Sequence, residues 1–361
     1  MKVLLVGEYS GLHFNLYEGL SQYKYLTVDL MSDGDGFKGF GRNIDIKGYT
    51  TNKIMYTITR VFKEIVTVLF LPKYDIIQII NPLVFSRFGP SLFLMFCLRK
   101  KAKKIVLLAV GDDYYYWKSY RENKFNYSPH KDILKIDKKT SKDVWESKRL
   151  QILNNYVVKI CDAIVPGASD YVVGYIGNEK LKSIIKFPIN IEKIIIHKIN
   201  IEKNDSKIKI LHGVQKGREG FKGTHYVDQA MNEILKKHSE TVEYIRPVSV
   251  PFNEYIKLLG EADIVIDQVN SLEAGMNGLF SLVMGKIVVG GNEDILNLNP
   301  EIKSPVFNIT PNVSHIVEVI EKLIARKNEF KILSQKSQEY VEKIHSHIKI
   351  AKEFKELYQK I

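Results

Sequence analysis

Short apolar runs bounded by turn-forming residues recur along the whole chain, and stretches with apolar positions three and four residues apart fill the gaps between them. That alternation predicts strands followed by helices. In the first half, Lys2–Val6 reads as a strand ending at Gly7-Glu-Tyr-Ser-Gly-Leu-His13, with a helix near Phe14–Leu20. Further strands are expected at Tyr25–Leu30, Ile76–Ile80 and Lys104–Val110, and helices over about Asn52–Leu71 and Pro90–Leu98. Val157–Val165 reads as another strand and Leu181–Phe187 as a short last element. Phe187-Pro188-Ile-Asn190 then breaks the pattern, and the polar run Glu202–Lys207 follows. The alternation restarts with a strand at Lys207–Leu211, a helix over Thr224–Lys236, a strand at Val242–Arg246 and a helix over Phe252–Leu259. Strands at Ala262–Ile266 and Ile287–Val289, joined by a helix over Leu279–Met284, precede helices near Val313–Arg326 and Glu329–Lys352. This order argues for two doubly wound parallel α/β sheets, residues 1–187 and residues 188–345, with ligands expected at the carboxyl ends of the strands.

Length and composition fit that reading. A chain of 361 residues, 45% hydrophobic and 26% charged, can bury two cores. Its most apolar patches, Ile65–Leu71 and Ser91–Leu98, fall far short of the roughly 20 residues a membrane span requires. Lys2–Gly7 is too short an apolar run for a signal peptide. The two cysteines, Cys97 and Cys161, lack metal-ligand spacing and suggest a reducing cytoplasm. The net charge of +12 is unevenly divided: residues 1–165 carry 26 Lys and Arg against 16 Asp and Glu, and residues 166–361 carry 27 against 25. Such a field suits nucleic acid, an anionic membrane surface or an acidic acceptor. No nucleic-acid-binding motif is present. Thr51–Leu71, with Ile54, Met55, Ile58, Val61, Phe62 and Ile65 beside Lys53, Arg60 and Lys63, favours adsorption to anionic headgroups, as does Ser91–Leu98 running into Arg99–Lys104. Lys131, Lys135, Lys138, Lys139 and Lys142 add to the basic field. The alternative is a solvated, lysine-rich surface.

Candidate chemistry lies in the loops after strands. Gly7, Ser10 and Gly11 form a glycine-bearing loop without G-x-G-x-x-G spacing, which disfavours a dinucleotide cofactor and leaves it as an acceptor-side loop. His13 beyond it is a candidate general base or a helix-entry cap. Asp33-Gly-Asp35 is a D-x-D in a turn, a weak metal signal that leaves the expectation of no metal. Asp112 and Asp113, after the Lys104–Val110 strand, could orient a hydroxyl acceptor, act as a base, or cap the next helix. In the second half, HGVQKGREGFKG (212–223) places Arg218 and Lys222 among glycines at a helix start, a receptacle for a diphosphate or a merely basic loop. It does not fit the P-loop pattern. Finally, the loop carrying Glu273, Gly275, Met276, Asn277 and Gly278 lies between two expected parallel strands and offers close backbone approach to a ligand.

Taken in order, His212–Ala230 with Lys222-Gly-Thr224, then Ala262–Gln268, Gly275 and Met284–Val289 resemble the donor half of family-four GT-B glycosyltransferases, and Pro188-Ile-Asn190 resembles the linker of that family. The resemblance implies a nucleotide-sugar donor in a deep cleft between two Rossmann-like domains, and a last helix (346–361) crossing back onto the first. It implies no cofactor and no metal, retention of anomeric configuration, and an acceptor that is a glycan or is lipid-linked, at the cytoplasmic face of the inner membrane. Arg218 and Lys222 match the cations that hold the donor diphosphate, with the backbone of Gly275, Met276 and Asn277 beside them. Glu273 stands at the first of two glutamate positions seven residues apart, the one that touches the transferred sugar. The second falls on Phe280, which cannot accept a hydrogen bond. Where members often carry a His after the fourth N-domain strand, this chain has Gly111-Asp-Asp113. An epimerase-like enzyme of the same fold and an inactive donor-binding subunit are the rival readings.

Overall fold

The computed structural model describes residues 1–87, 89–128, 132, 145–195, 207–293 and 303–361, which form two compact units. The first unit draws on residues 1–124, 142–189 and 347–361, and the second on residues 190–346 together with Phe125–Ser128 and Asp132. The lysines at 131, 135, 138, 139 and 142 and the polar run before Lys207 lie outside the described residues.

In the first unit, β1 (Lys2–Val6), α1 (Leu12–Leu20), β2 (Thr27–Ser32), β3 (Ile44–Asp45), α2 (Lys53–Phe70), β4 (Tyr74–Ile79), α3 (Ser91–Lys101), β5 (Ala102–Ala109), α4 (Tyr114–Arg121), α5 (Lys148–Ile160), β6 (Ala163–Pro166) and α6 (Ser169–Val172) follow one another. The six strands form a sheet in the order β3-β2-β1-β4-β5-β6, with every pairing parallel. Val3 to Val6 are fully buried, as expected for a strand covered on both faces. Right-handed crossovers put α2, α3 and α5 on one face and α1 on the other.

In the second unit, α7 (Ile191–Ile195), β7 (Ile208–His212), α8 (Glu219–Lys222), α9 (Thr224–His238), β8 (Val242–Ile245), α10 (Phe252–Glu261), β9 (Ile264–Ile266), α11 (Met276–Val283), β10 (Ile287–Gly290), β11 (Phe307–Asn308), α12 (Val313–Ala325) and α13 (Phe330–His345) build a parallel sheet ordered β11-β10-β9-β7-β8. Ile210, Ile264 and Val289 on the strands pack with Val227, Met231 and Ile320 on the covering helices. The last helix, α14 (His347–Lys360), returns to the first unit and lies against α1. Gly19 permits that approach, because a Cβ there would stand 2.4 Å from the His347 carbonyl oxygen.

The structure corrects several sequence expectations. Val157–Val165 is not a strand: α5 runs to Ile160, capped by the Ser147 hydroxyl, and β6 begins at Ala163. Leu181–Phe187 contributes only an isolated bridge, from Leu181 to Ile164. The helix expected over Glu329–Lys352 breaks at Ser346, whose extended φ/ψ of −52° and 125° ends α13. The helix expected from Leu279 begins at Met276, so Gly278 lies inside it. Among the described residues, no helix is long and apolar enough to cross a membrane.

Candidate functional site

In the second sheet the chain steps from β7 outward to β8 and then back across to β9. The point where strand order reverses therefore lies between β7 and β9, where an open α/β sheet leaves a crevice for ligands. The two loops singled out in the sequence, 213–223 and 267–275, are the ones leaving these two strands.

Buried hydrogen bonds tie the loops together. His212, 0% exposed, donates from Nδ1 to the Ile266 carbonyl at 3.0 Å and accepts at Nε2 from the Thr224 hydroxyl at 3.3 Å. One neutral imidazole thus links the ends of β7 and β9 to the first residue of α9. Desolvation lowers its pKa to about 4, which keeps it in that form. The Val269 amide donates to the Lys222 carbonyl (2.9 Å), and Asn270 Nδ2 donates to the Gly220 carbonyl (3.1 Å) and to Asp132 (2.7 Å).

Arg218 is exposed and stacks its guanidinium over the Phe221 ring, 4.1 Å from the centroid. Lys222 closes the four-residue α8, and Gly223 at φ +73° turns the chain directly into α9. Both cations stand at the entry to that helix, and neither side chain is held by an ion pair among the described residues.

On the β9 side, Asp267 is 1% exposed. Its Oδ2 accepts the Gly275 N–H at 2.7 Å and its Oδ1 accepts from Asn277 Nδ2 at 3.3 Å, while Asn277 Oδ1 accepts the Tyr255 hydroxyl at 2.6 Å. Gly275 and the Asn277 side chain are therefore engaged within the protein. The backbone N–H groups of Met276, Asn277 and Gly278 precede the first intrahelical bond of α11, from Leu279 to Gly275, and remain the donors that helix start presents. Glu273 is half-buried; its main chain bridges to Asn292 and its carbonyl accepts from Gln268 Nε2. Phe280 sits on α11, half-buried, its carbonyl accepting the Met284 N–H. Asp267 and Tyr255 were given no role in the sequence reading. The signal that could have found Tyr255 is Gly213, where a Cβ would stand 2.8 Å from the Tyr255 ring.

The first unit has its own reversal point, between β1 and β4, and the loops after β1, β4 and β5 meet there. Asn81 Nδ2 donates to the Val110 and Asp112 carbonyls, and a Cβ on Gly111 would stand 3.2 Å from the Tyr9 ring. Gly7, Ser10 and Gly11 all adopt positive φ. The Ser10 amide donates to Asp35 and its hydroxyl accepts from Lys38.

His13 is fully buried with both ring nitrogens occupied. Its Nδ1–H donates to the Gly7 carbonyl (2.8 Å), while Nε2 accepts from Gln78 Nε2 (3.1 Å), whose Oε1 accepts the Tyr358 hydroxyl (2.7 Å). Burial lowers its pKa to about 4. This geometry assigns His13 to holding the loop, in place of the general base the sequence allowed. Asp113 is 3% exposed, caps α4 through the Tyr116 amide and accepts the Tyr175 hydroxyl; desolvation raises its pKa. Of the two aspartates, Asp112 alone is partly exposed at these strand ends. In the D-x-D turn, Asp33 pairs with Arg60 and Asp35 with Lys38.

Two doubly wound parallel sheets and a last helix returned to the first unit constitute the GT-B fold. Three solved structures of that kind match over essentially the whole chain. Sucrose-phosphate synthase from Thermosynechococcus elongatus has a TM-score of 0.62 at 12% identity, covering 100% of this chain and 98% of its own. Anabaena HepE in complex with UDP-glucose has 0.61 at 14% identity, with both chains fully covered. UDP-GlcNAc 2-epimerase from Neisseria meningitidis bound to UDP-GlcNAc has 0.54 at 11%, again covering both chains. No protein-family model matches the chain, and no curated protein matches it by sequence.

Proposed function

We propose that the protein is a nucleotide-sugar glycosyltransferase of the family-four type, with its donor held by the second unit. The observation that carries this reading is the placement of Arg218, Lys222 and the start of α11 on the two loops that flank the β7/β9 reversal point. HepE, which shares the fold, is described with UDP-glucose, and this supports a uridine nucleotide sugar as the first donor to test. Arg218 and Lys222 take the diphosphate, together with the N–H groups of Met276 and Asn277 and the positive end of the α11 dipole. As the anomeric C–O bond breaks, negative charge gathers on the departing diphosphate, and these groups stabilise it without a metal. Glu273 contacts the transferred sugar. The acceptor hydroxyl bonds to the anomeric carbon on the face that the diphosphate leaves and passes its proton to the departing diphosphate oxygen, so that configuration is retained. Asp112 is the first-unit candidate for holding the acceptor. The acceptor is a glycan or is lipid-linked. With Phe280 at the second glutamate position, the ribose is held by other groups than in the family.

The test is calorimetric titration with UDP and UDP-sugars, followed by transfer to a lipid extract. Arg218→Ala and Lys222→Ala should each weaken UDP binding about tenfold or more and lower turnover about 10² to 10³-fold. Unchanged affinity in both variants sinks the site. The epimerase likeness favours a second reading. Interconversion of a UDP-sugar with no acceptor present would select it, and tight donor binding with no turnover would select an inactive donor-binding subunit.

A further inference from the structure

Surface helices normally turn apolar positions inward and charge outward. In α2 the arrangement is reversed. Its buried face carries Glu64, 0% exposed, whose carboxylate accepts from Arg60 Nε at 2.9 Å and from the Ser86 amide, with Val68 a turn further on. Arg60 also pairs with Asp33 at 2.7 Å, and Lys63 with Asp45 at 2.7 Å. Of the cations that the sequence suggested for headgroup binding, Arg60 and Lys63 are thus spent inside the unit. Ile54, Ile58, Phe62, Val66 and Phe70 repeat every four residues on the opposite side, flanked by Met55 and Leu69, and all are exposed, Phe70 to 83%. They form one stripe along about 25 Å of helix. The neighbouring α3 exposes Leu92, Phe93 and Phe96. Ten of the eighteen exposed large apolar side chains among the described residues lie on these two helices, a concentration that marks an interaction surface.

The charges identify what covers it. Across α2 and α3 the one acidic side chain is the buried Glu64. Lys53 begins α2, Lys73 follows its end, and Arg99, Lys100 and Lys101 close α3. A second copy of the chain, face to face, would set these cations against their own copies with no counter-charge. Anionic headgroups complement the rim, and the acyl boundary below them takes the stripe. We infer that the α2/α3 face docks onto an anionic lipid bilayer, with Ile58, Phe62 and Phe70 entering the acyl region and the flanking cations resting in the headgroups. The inference stands apart from the donor reading, since it concerns binding without donor or acceptor.

The test uses the full chain and vesicles of phosphatidylcholine with and without phosphatidylglycerol. Sedimentation is expected with the anionic vesicles and should weaken as salt rises. Ile58→Ser with Phe62→Ser and Phe70→Ser should reduce binding about tenfold or more, as should Lys100→Glu with Lys101→Glu. Tryptophan emission of Phe62→Trp should shift to the blue only when anionic vesicles are added. Should the triple variant melt lower than the parent, Phe70→Ser alone, at the most exposed position, must still weaken binding. The inference is overturned by equal affinity for neutral and anionic vesicles, by binding unchanged in the apolar variants, or by a dimer in light scattering that disappears in them.

Discussion

Arg218 and Asn277 occupy the same strand-end crevice but are engaged differently. The Arg218 guanidinium rests on one aromatic ring and is otherwise open to solvent. Asn277 is the middle of a relay from Tyr255 to Asp267. Asn277→Ala strands a phenol hydroxyl and a carboxylate oxygen in a poorly hydrated place, so it should cost about 1–3 kcal/mol of stability. Arg218→Ala should stay within about 0.5 kcal/mol of the parent while it loses nucleotide affinity. Thermal melts of the two variants without ligand check this, and an Asn277→Ala protein as stable as its parent would refute the relay. At this scale the sequence was informative about residue type and silent about engagement. It singled out His13 and Asp113 for positions where polar side chains can reach a ligand. Each spends that capacity on a neighbour brought in by the fold, Gln78 for His13 and Tyr175 for Asp113.

Among the elements, the entry to α9 is the most constrained turn of the candidate site. Gly223 has φ +73°, and a Cβ on it would stand 3.1 Å from Asn270 Nδ2 and from Val269 Cβ, which belong to the opposite loop. Gly217, at φ +82°, has nothing near the same position. Gly217→Ala should therefore lose about 1–2 kcal/mol to backbone strain alone. Gly223→Ala should lose more and should also weaken UDP binding, because the displaced loop carries Lys222. Equal losses of stability and unchanged affinity in both variants would show that the two loops do not act together. Most strands and helices were legible because buried parallel strands read as unbroken β-branched runs. The failures came where two elements share one apolar stretch, as in Tyr156–Val165, or where an edge strand is only two residues long, as in β3 and β11. Gly278 misled for a different reason: it was taken as punctuation, although its lack of a Cβ lets α11 pass the Asp267 carboxylate, which a Cβ would approach to 3.0 Å.

At the scale of the molecule, burial of ionisable groups sets opposite pH responses in the two units. Glu8 is 3% exposed, and desolvation raises its pKa from 4.5 to about 8. Its protonated form is favoured by folding, so its contribution is full below pH 4.5 and is lost as pH rises through 8. His13 and His212 fall from 6.5 to about 4. Their contribution is full above pH 6.5 and is lost as pH falls towards 4. Taken by themselves, Glu8 and His13 offset each other between pH 4.5 and 6.5, and Glu8 then loses about 2 kcal/mol from pH 6.5 to 8. His212 in the second unit loses about 2 kcal/mol from pH 6.5 to 5. Scanning calorimetry should show Glu8→Gln gaining on the parent as pH rises from 4.5 towards 8, and His212→Asn gaining as pH falls from 6.5 towards 4. Differences that stay constant with pH would contradict both assignments.

The return of α14 to the first unit also orders events during synthesis. The Tyr358 hydroxyl that bonds Gln78, and the helix that covers Gly19, leave the ribosome after every residue of the second unit. The amino-terminal sheet, although made first, keeps its α1 face open until α14 has emerged, so the carboxyl-terminal unit can complete its core before the amino-terminal one. A nascent chain at that stage is one whose older half still waits for its cover and whose younger half is already packed.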